Sequence, residues 1–118
     1  MLDWRRQQYE HNKAFSNAID RVQYPDWAIT GLFYAAVQLV DAVFEKKLGS
    51  KPKTHMDRTA WMSRVDKTKR VRTEYWQLKI LSESVRYDAA YTQFAAAQIG
   101  EATAYLEAVE KELLSSVG

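Results

Sequence analysis

The chain has 118 residues, of which 47% are hydrophobic and 13% aromatic, and its formal net charge is +2 at pH 7. This length suits one domain with a single core, and the apolar content excludes a disordered chain. The absence of cysteine excludes disulfides and thiolate metal sites and favours a reducing compartment. The first fifteen residues are too polar for a signal peptide and no apolar run is long enough for a membrane span, so we predict a cytoplasmic protein with no membrane partner.

Long helices are predicted for the first half of the chain, because glycine and proline are scarce. The first helix is predicted from about Asp3 to Val22, ending before a proline. The second is predicted to begin near Pro25 or Asp26 and to run to about Leu48, where Gly49 offers a C-terminal cap. Its apolar residues cover more than half of its circumference, which is typical of a helix in the middle of a bundle.

The second half begins with a loop over residues 49–54. A short helix follows, predicted from His55 to Val65 with Thr54 as its N-cap. Two longer helices are predicted from Lys67 to Val85 and from Tyr91 to Ser116, because apolar residues recur there every three or four positions. The sequence therefore predicts a single all-α domain over residues 1–118, an antiparallel up-and-down bundle of four long helices and one short helix.

Positive charge is concentrated in residues 46–72, which hold ten basic and two acidic residues, a balance of +8. Such a stretch attracts phosphate polymers through the release of counterions. The alternative is an ordinary solvated surface. The candidate nucleic-acid-binding residues of this segment are Arg58, Arg64, Lys67, Lys69, Arg70 and Arg72.

Metal and cofactor sites are not expected. The two histidines have no paired spacing, and Glu107 and Glu110 lie on one helix face without a matching pair elsewhere. There is no glycine-rich phosphate loop and no G-x-S-x-G motif. His55, at the N-terminus of a basic helix, is a candidate general base, because that position should lower its pKa and favour the neutral form that a base needs. The alternative is a surface histidine without a catalytic role.

Several stretches together resemble the HEPN family of small helical-bundle proteins, over about residues 9–106. They are YPDWAITGLFYAAVQLVDAVF (24–44), the His11-Asn12 pair, His55-x-x-Arg58 and SVRYD (84–88). The resemblance implies a bundle that is frequently dimeric. Many members are metal-independent ribonucleases or inactive relatives that bind nucleotides or nucleic acids, often in toxin–antitoxin and defence systems. RNA and an antitoxin-type protein are therefore the implied partners.

The catalytic motif of that family is an arginine followed, after four to six residues, by a histidine. Arg86 matches the arginine, but Tyr91 stands after four intervening residues and no histidine follows it. Tyrosine, with a pKa of about 10, is a poor base near neutral pH. The arginine would keep its role of stabilising charge on the phosphate.

Three interpretations of the stretch SVRYDAAY (84–91) follow. Arg86 and Asp88 form a structural ion pair, with Tyr87 and Tyr91 packed around it. Alternatively, Arg86 binds a phosphate while Tyr87 or Tyr91 stacks on a base. In the third, His55 of the same chain or of a dimer partner supplies the missing base and completes a ribonuclease site.

The predicted function is therefore RNA binding or nucleic-acid processing, with metal-independent endoribonuclease activity as one form of it. The alternative is a non-enzymatic protein-interaction module that acts as a homodimer, such as a toxin–antitoxin or scaffold subunit. The two differ in salt dependence, because only a binder of phosphate polymers should weaken steeply as salt rises.

Overall fold

A computed structural model of the protein describes residues 3–88 and 95–117. These residues form helices and contain no strand, so the predicted all-α class is confirmed. The helices are α1 (Asp3–Ala18), α2 (Pro25–Leu48), α3 (His55–Trp61), a 3-10 helix (Met62–Arg64), α4 (Asp66–Arg70), α5 (Arg72–Tyr87) and α6 (Ala95–Val117).

Helix α2 lies at the centre of a helical bundle and packs against α1, α5 and α6, while α5 and α6 also pack on each other. It is buried along nearly its whole length, which agrees with the central position predicted from its apolar circumference. By length and composition α2 would qualify as a membrane span, but 83% of its most apolar window is buried inside the protein. That burial is typical of the core helix of a soluble protein. The cytoplasmic location stays a prediction.

Both ends of α2 and the start of α3 lie where the sequence predicted them. Gly49 ends α2 with a left-handed φ of 78°, and its amide donates to the Glu45 carbonyl at 3.1 Å. A non-glycine side chain would be strained in that conformation. Thr54 caps α3 by accepting a hydrogen bond from the Asp57 amide at 3.0 Å. The caps position His55 in the first turn of α3.

Two helices within the first 65 residues differ from the prediction. Helix α1 ends at Ala18 rather than Val22, because the Asp20 carboxylate accepts hydrogen bonds from the amides of Val22 and Gln23 and forms a turn instead. The predicted helix to Val65 divides into α3 and the 3-10 helix. The predicted start of the last helix, Tyr91, lies outside the described residues.

The helix predicted from Lys67 is also divided, into α4 and α5. The buried Thr68 hydroxyl donates towards the carbonyls of Met62 and Val65, both at 2.9 Å, and so ties α4 back onto the 3-10 helix. Val71 then leaves helical geometry, with a φ of −114° and a ψ of 14°, and α5 begins at Arg72. Because of this bend at Val71, α4 and α5 do not form one continuous helix.

Helices α1 and α2 are in close contact at Gly31. A Cβ atom there would lie 3.1 Å from Phe15 Cδ1 and 3.2 Å from the carbonyl oxygen of Asn12. One turn earlier, the Ser16 hydroxyl donates to the Ala28 carbonyl at 2.7 Å. The absence of a side chain at Gly31 therefore permits the crossing that brings the two helices together.

Candidate nucleic-acid interface

A buried carboxylate, Asp41 of α2, lies between two buried arginines. Arg58 of α3 donates to it twice, from Nε to Oδ1 at 2.7 Å and from Nη2 to Oδ2 at 3.0 Å. Arg5 of α1 approaches from the other side, with Nη1 3.9 Å from Oδ2. Arg5 also donates through Nε to Glu45 at 2.7 Å and through Nη1 to Gln38 at 2.7 Å. Two guanidinium groups and two carboxylates thus balance in charge and join α1, α2 and α3.

Arg58 was predicted to contact nucleic acid, and the structure corrects this assignment. Its side chain is buried, and the bidentate pairing with Asp41 occupies the guanidinium. Burial disfavours the charged form, but the hydrogen bond to Asp41 and its negative charge outweigh burial, so the pKa of Arg58 is raised. The hydroxyl of Tyr75 lies near this guanidinium, without a hydrogen bond of ordinary geometry. Arg58 is therefore part of the core and is not accessible to a phosphate.

His55 is held by Arg58 as well. Nη1 of Arg58 and Nδ1 of His55 are 2.9 Å apart, and because a guanidinium only donates, Nδ1 must accept and the imidazole proton lies on Nε2. Burial, followed by the positive charges of Arg58 and Lys79, lowers the pKa of His55. The predicted direction of the pKa shift holds, but its main cause is burial rather than the helix dipole. Because the lone pair of Nδ1 accepts the hydrogen bond from Arg58, His55 is not arranged to act as a general base.

Arg86 lies in the last turn of α5 between two tyrosine rings. Its Nε donates to the Ser82 carbonyl at 3.0 Å. The guanidinium carbon is 5.9 Å from the ring centroid of Tyr34 and 5.1 Å from that of Tyr87, within cation–π range. The Tyr34 ring is also 6.3 Å from the His55 ring, centroid to centroid. Tyr34 thus brings the two predicted residues, Arg86 and His55, into one region of the surface.

The other predicted residues of SVRYDAAY have different positions. Tyr87 is 80% exposed and is therefore accessible to a ligand beside Arg86. Asp88 ends α5, with its amide donating to the Ser84 carbonyl at 3.0 Å and its side chain exposed. Tyr91 lies outside the described residues. An ion pair between Arg86 and Asp88 stays a prediction.

Two of the predicted basic residues are bound to the C-terminal part of α6. Lys67 donates to the Ser116 hydroxyl, and Arg70 pairs with Glu112 at 2.8 Å. Lys46 reaches the same end, donating to the Ser116 carbonyl at 2.9 Å. Cations near the C-terminus of a helix complement its dipole. Part of the basic segment therefore helps to hold α6 in place.

The remaining predicted basic residues are exposed. The Arg64 guanidinium carbon lies 5.7 Å from the centroid of the Trp61 ring. Lys69 and Arg72 line a groove between α3 and α5, and Arg72 Nε donates to the Thr59 carbonyl at 3.2 Å. Fewer of the predicted basic residues are therefore accessible to a ligand than the concentration of positive charge in residues 46–72 suggested.

Two residues of the site were missed by sequence reasoning. Asp41 looked like one more polar position of α2, although an isolated acid in a strongly apolar helix is itself a signal for a buried partner. Tyr34 was counted only as part of the family resemblance. Nothing in the sequence shows that Arg86 and His55 meet at its ring.

The comparisons with known proteins gave no match: no family model fits the chain, and no curated protein and no solved structure is significantly similar to it. Within residues 3–88 and 95–117, no group of three or more histidine and carboxylate side chains could hold a metal ion. The candidate interface is therefore defined by the contacts of the chain itself.

Proposed function

We propose that this protein is a HEPN-like antiparallel bundle that binds RNA at the C-terminal end of α5. The observation that carries the proposal is the position of Arg86, whose guanidinium lies beside the exposed ring of Tyr87 and against Tyr34. A guanidinium pairs well with phosphate, and an exposed aromatic ring stacks on an unpaired base. The two groups together suit a nucleotide of an RNA strand.

Binding is supported better than cleavage. A metal-independent ribonuclease needs a base that takes the proton from a ribose 2′-hydroxyl. Nδ1 of His55 accepts a hydrogen bond from Arg58, and Arg58 in turn donates a hydrogen bond to Asp41. Activating His55 would require the buried ion pairs to rearrange. We therefore propose that the protein is an inactivated relative of the ribonucleases that still binds RNA.

The test is fluorescence anisotropy with labelled single-stranded RNA in EDTA, comparing the wild type with Arg86→Ala. Arg6→Ala is the matched control, because Arg6 is a partly exposed arginine of α1 whose one ion pair among the described residues is with its neighbour Glu10. Arg86→Ala should weaken binding roughly tenfold or more and reduce the salt slope by about one. Arg6→Ala should have little effect.

The outcomes separate the alternatives. Equal losses in Arg86→Ala and Arg6→Ala, or no binding by the wild type at low salt, would refute the proposal. Gel analysis of the same reactions reports cleavage. RNA cleavage in EDTA that His55→Ala abolishes would show that the protein is a nuclease and that His55 can leave Arg58.

The second candidate function, a protein-interaction module, is favoured by exposed apolar side chains near the junction of α1 and α2. Phe15, Val22, Tyr24 and Trp27 are all exposed. Exposed apolar patches often mark interaction sites. A homodimer through this region predicts a concentration-dependent mass by light scattering, which Trp27→Ala should lower. A monomer at high micromolar concentration in the wild type would argue against it.

A further inference from the structure

A groove lies between α3 and the N-terminal half of α5. It consists of a cavity of about 470 Å³ and a neighbouring one of about 380 Å³. Both are lined by Thr59, Arg72 and Trp76, so they form one continuous depression. None of the functions considered above uses Trp76.

Trp76 has the properties of a stacking platform. It is 43% exposed although it is a large apolar residue. Lys79 Nζ lies 5.0 Å from the indole ring and pairs with Glu83 at 2.8 Å, and the Lys79 side chain is only 13% exposed. Glu83 thus balances the charge of Lys79. Lys79 packs against one part of the indole, and the rest of the ring is exposed to solvent. A pre-positioned exposed tryptophan suits an unpaired base.

Two cations at the groove have no ion pair with a carboxylate among the residues that the structure describes. Arg72 uses Nε to reach the Thr59 carbonyl, and its other N–H groups have no partner among the described residues. Lys69 is exposed and has no ion pair within the part of the chain that the structure describes. Positive charge beside an open aromatic ring is complementary to a nucleotide, which combines a flat base with a phosphate.

The groove and the Arg86 region lie on one stripe of α5. Arg72, Trp76, Lys79, Glu83 and Arg86 follow each other at steps of four and three residues, which places them on the same helix face. Trp76 and Arg86 are ten residues apart, or about 15 Å along the helix. That distance corresponds to about four stacked steps of a nucleic-acid strand.

From this arrangement we infer that the groove is a second nucleotide subsite, in which a base stacks on Trp76 and its phosphate pairs with Arg72 and Lys69. The strand then continues along α5 to Arg86. The inference rests on the proposed function and adds its substrate class: an unpaired stretch of at least about five nucleotides. Duplex RNA is a poor ligand, because paired bases stacked within a helix cannot present a face to Trp76.

The test compares Trp76→Ala, Trp76→Phe and Trp4→Ala for binding of a single strand of about 12 nucleotides and of the matching duplex. Trp4 is the matched control, since it is 50% exposed and lies on α1 outside the groove. Trp76→Ala should weaken single-strand binding by roughly tenfold to a hundredfold, and Trp76→Phe should restore most of it. Trp4→Ala should bind like the wild type, and duplex affinity should be unaffected by Trp76→Ala.

The two proposals can fail separately. If Arg86→Ala abolishes RNA binding while Trp76→Ala does not change it, the groove is not a subsite although the RNA-binding function stands. An equal loss in Trp4→Ala, or an equal loss of duplex binding in Trp76→Ala, also overturns the inference. If the wild type binds no RNA at low salt, the proposed function itself is refuted. Circular dichroism of each variant confirms that a loss of binding is not a loss of folding.

Discussion

Replacing Asp41 by asparagine should destabilise the protein more than any change to an exposed ion pair. The substitution keeps the volume of the side chain and removes its charge. Asp41 is 1% exposed and accepts two hydrogen bonds from Arg58, and Arg5 lies on its other side. Loss of this negative charge leaves the Arg58 guanidinium buried, with its hydrogen bond to His55 still in place. The side-chain NH₂ group of asparagine would also place a hydrogen-bond donor opposite the N–H donors of Arg58.

The expected magnitude follows from these contacts. Each hydrogen bond to a charged group contributes about 1.5–3 kcal/mol, and removing one partner of a buried ion pair costs about 3–5 kcal/mol. We therefore expect Asp41→Asn to lower the free energy of unfolding by about 3–5 kcal/mol. A domain of this size has about 5–15 kcal/mol in total, so the variant should lose a large fraction of its stability.

The assay is urea denaturation followed by circular dichroism, with Glu112→Gln as the control. Glu112 pairs with Arg70, whose side chain is 63% exposed, so this change should cost less than about 1 kcal/mol. The double substitution Asp41→Leu with Arg58→Met removes both charges and should be more stable than Asp41→Asn. A cost below about 1 kcal/mol for Asp41→Asn, or no recovery in the double variant, would refute the reasoning.

Two further predictions concern pH and close packing. Because the pKa of His55 is lowered from 6.5 in the folded state, the unfolded chain binds the proton more readily, and the free energy of unfolding should fall as pH decreases below 6.5. His55→Asn, which keeps an acceptor for Arg58, should make this decline shallower between about pH 6.5 and 5 in denaturation experiments; an unchanged pH profile would contradict it. Gly31→Ala should destabilise by about 1–3 kcal/mol, because its Cβ would press on Phe15 and the α1 backbone. Gly100→Ala, where a Cβ meets no atom within 4 Å, should stabilise by about 0.4–1 kcal/mol, and equal effects of the two changes would contradict the packing at Gly31.

Local sequence signals were sufficient where one signal decides the structure. The extent of α2 follows from Pro25 and Gly49, and the start of α3 follows from the Thr54 cap. The signals failed where side chains compete with the helix. The Asp20 carboxylate ends α1 early, and the Thr68 hydroxyl ties α4 to the preceding turn, although the apolar periodicity continues through both places. Periodicity reports which face is apolar and does not report these competing hydrogen bonds.

The site was less accessible to sequence reasoning than the fold. A run of basic residues looks the same whether a given arginine is exposed or buried, and Arg58 is buried because Asp41 lies 17 positions earlier on the facing helix. The same limit applies to Trp76 and Arg72, which form a groove together with Thr59 of α3, more than ten positions earlier in the chain. Contacts between residues distant in sequence decide which charges are available to a ligand.

The burial of α2 also has a consequence for the synthesis of the protein. This helix leaves the ribosome after α1, but α5 and α6, which cover much of its remaining surface, are made later. Until α6 has emerged, a 24-residue apolar helix is incompletely covered in the nascent chain. Exposed apolar segments of this kind are prone to aggregation. Chaperone protection of the growing chain should therefore matter more for this protein than its small size suggests.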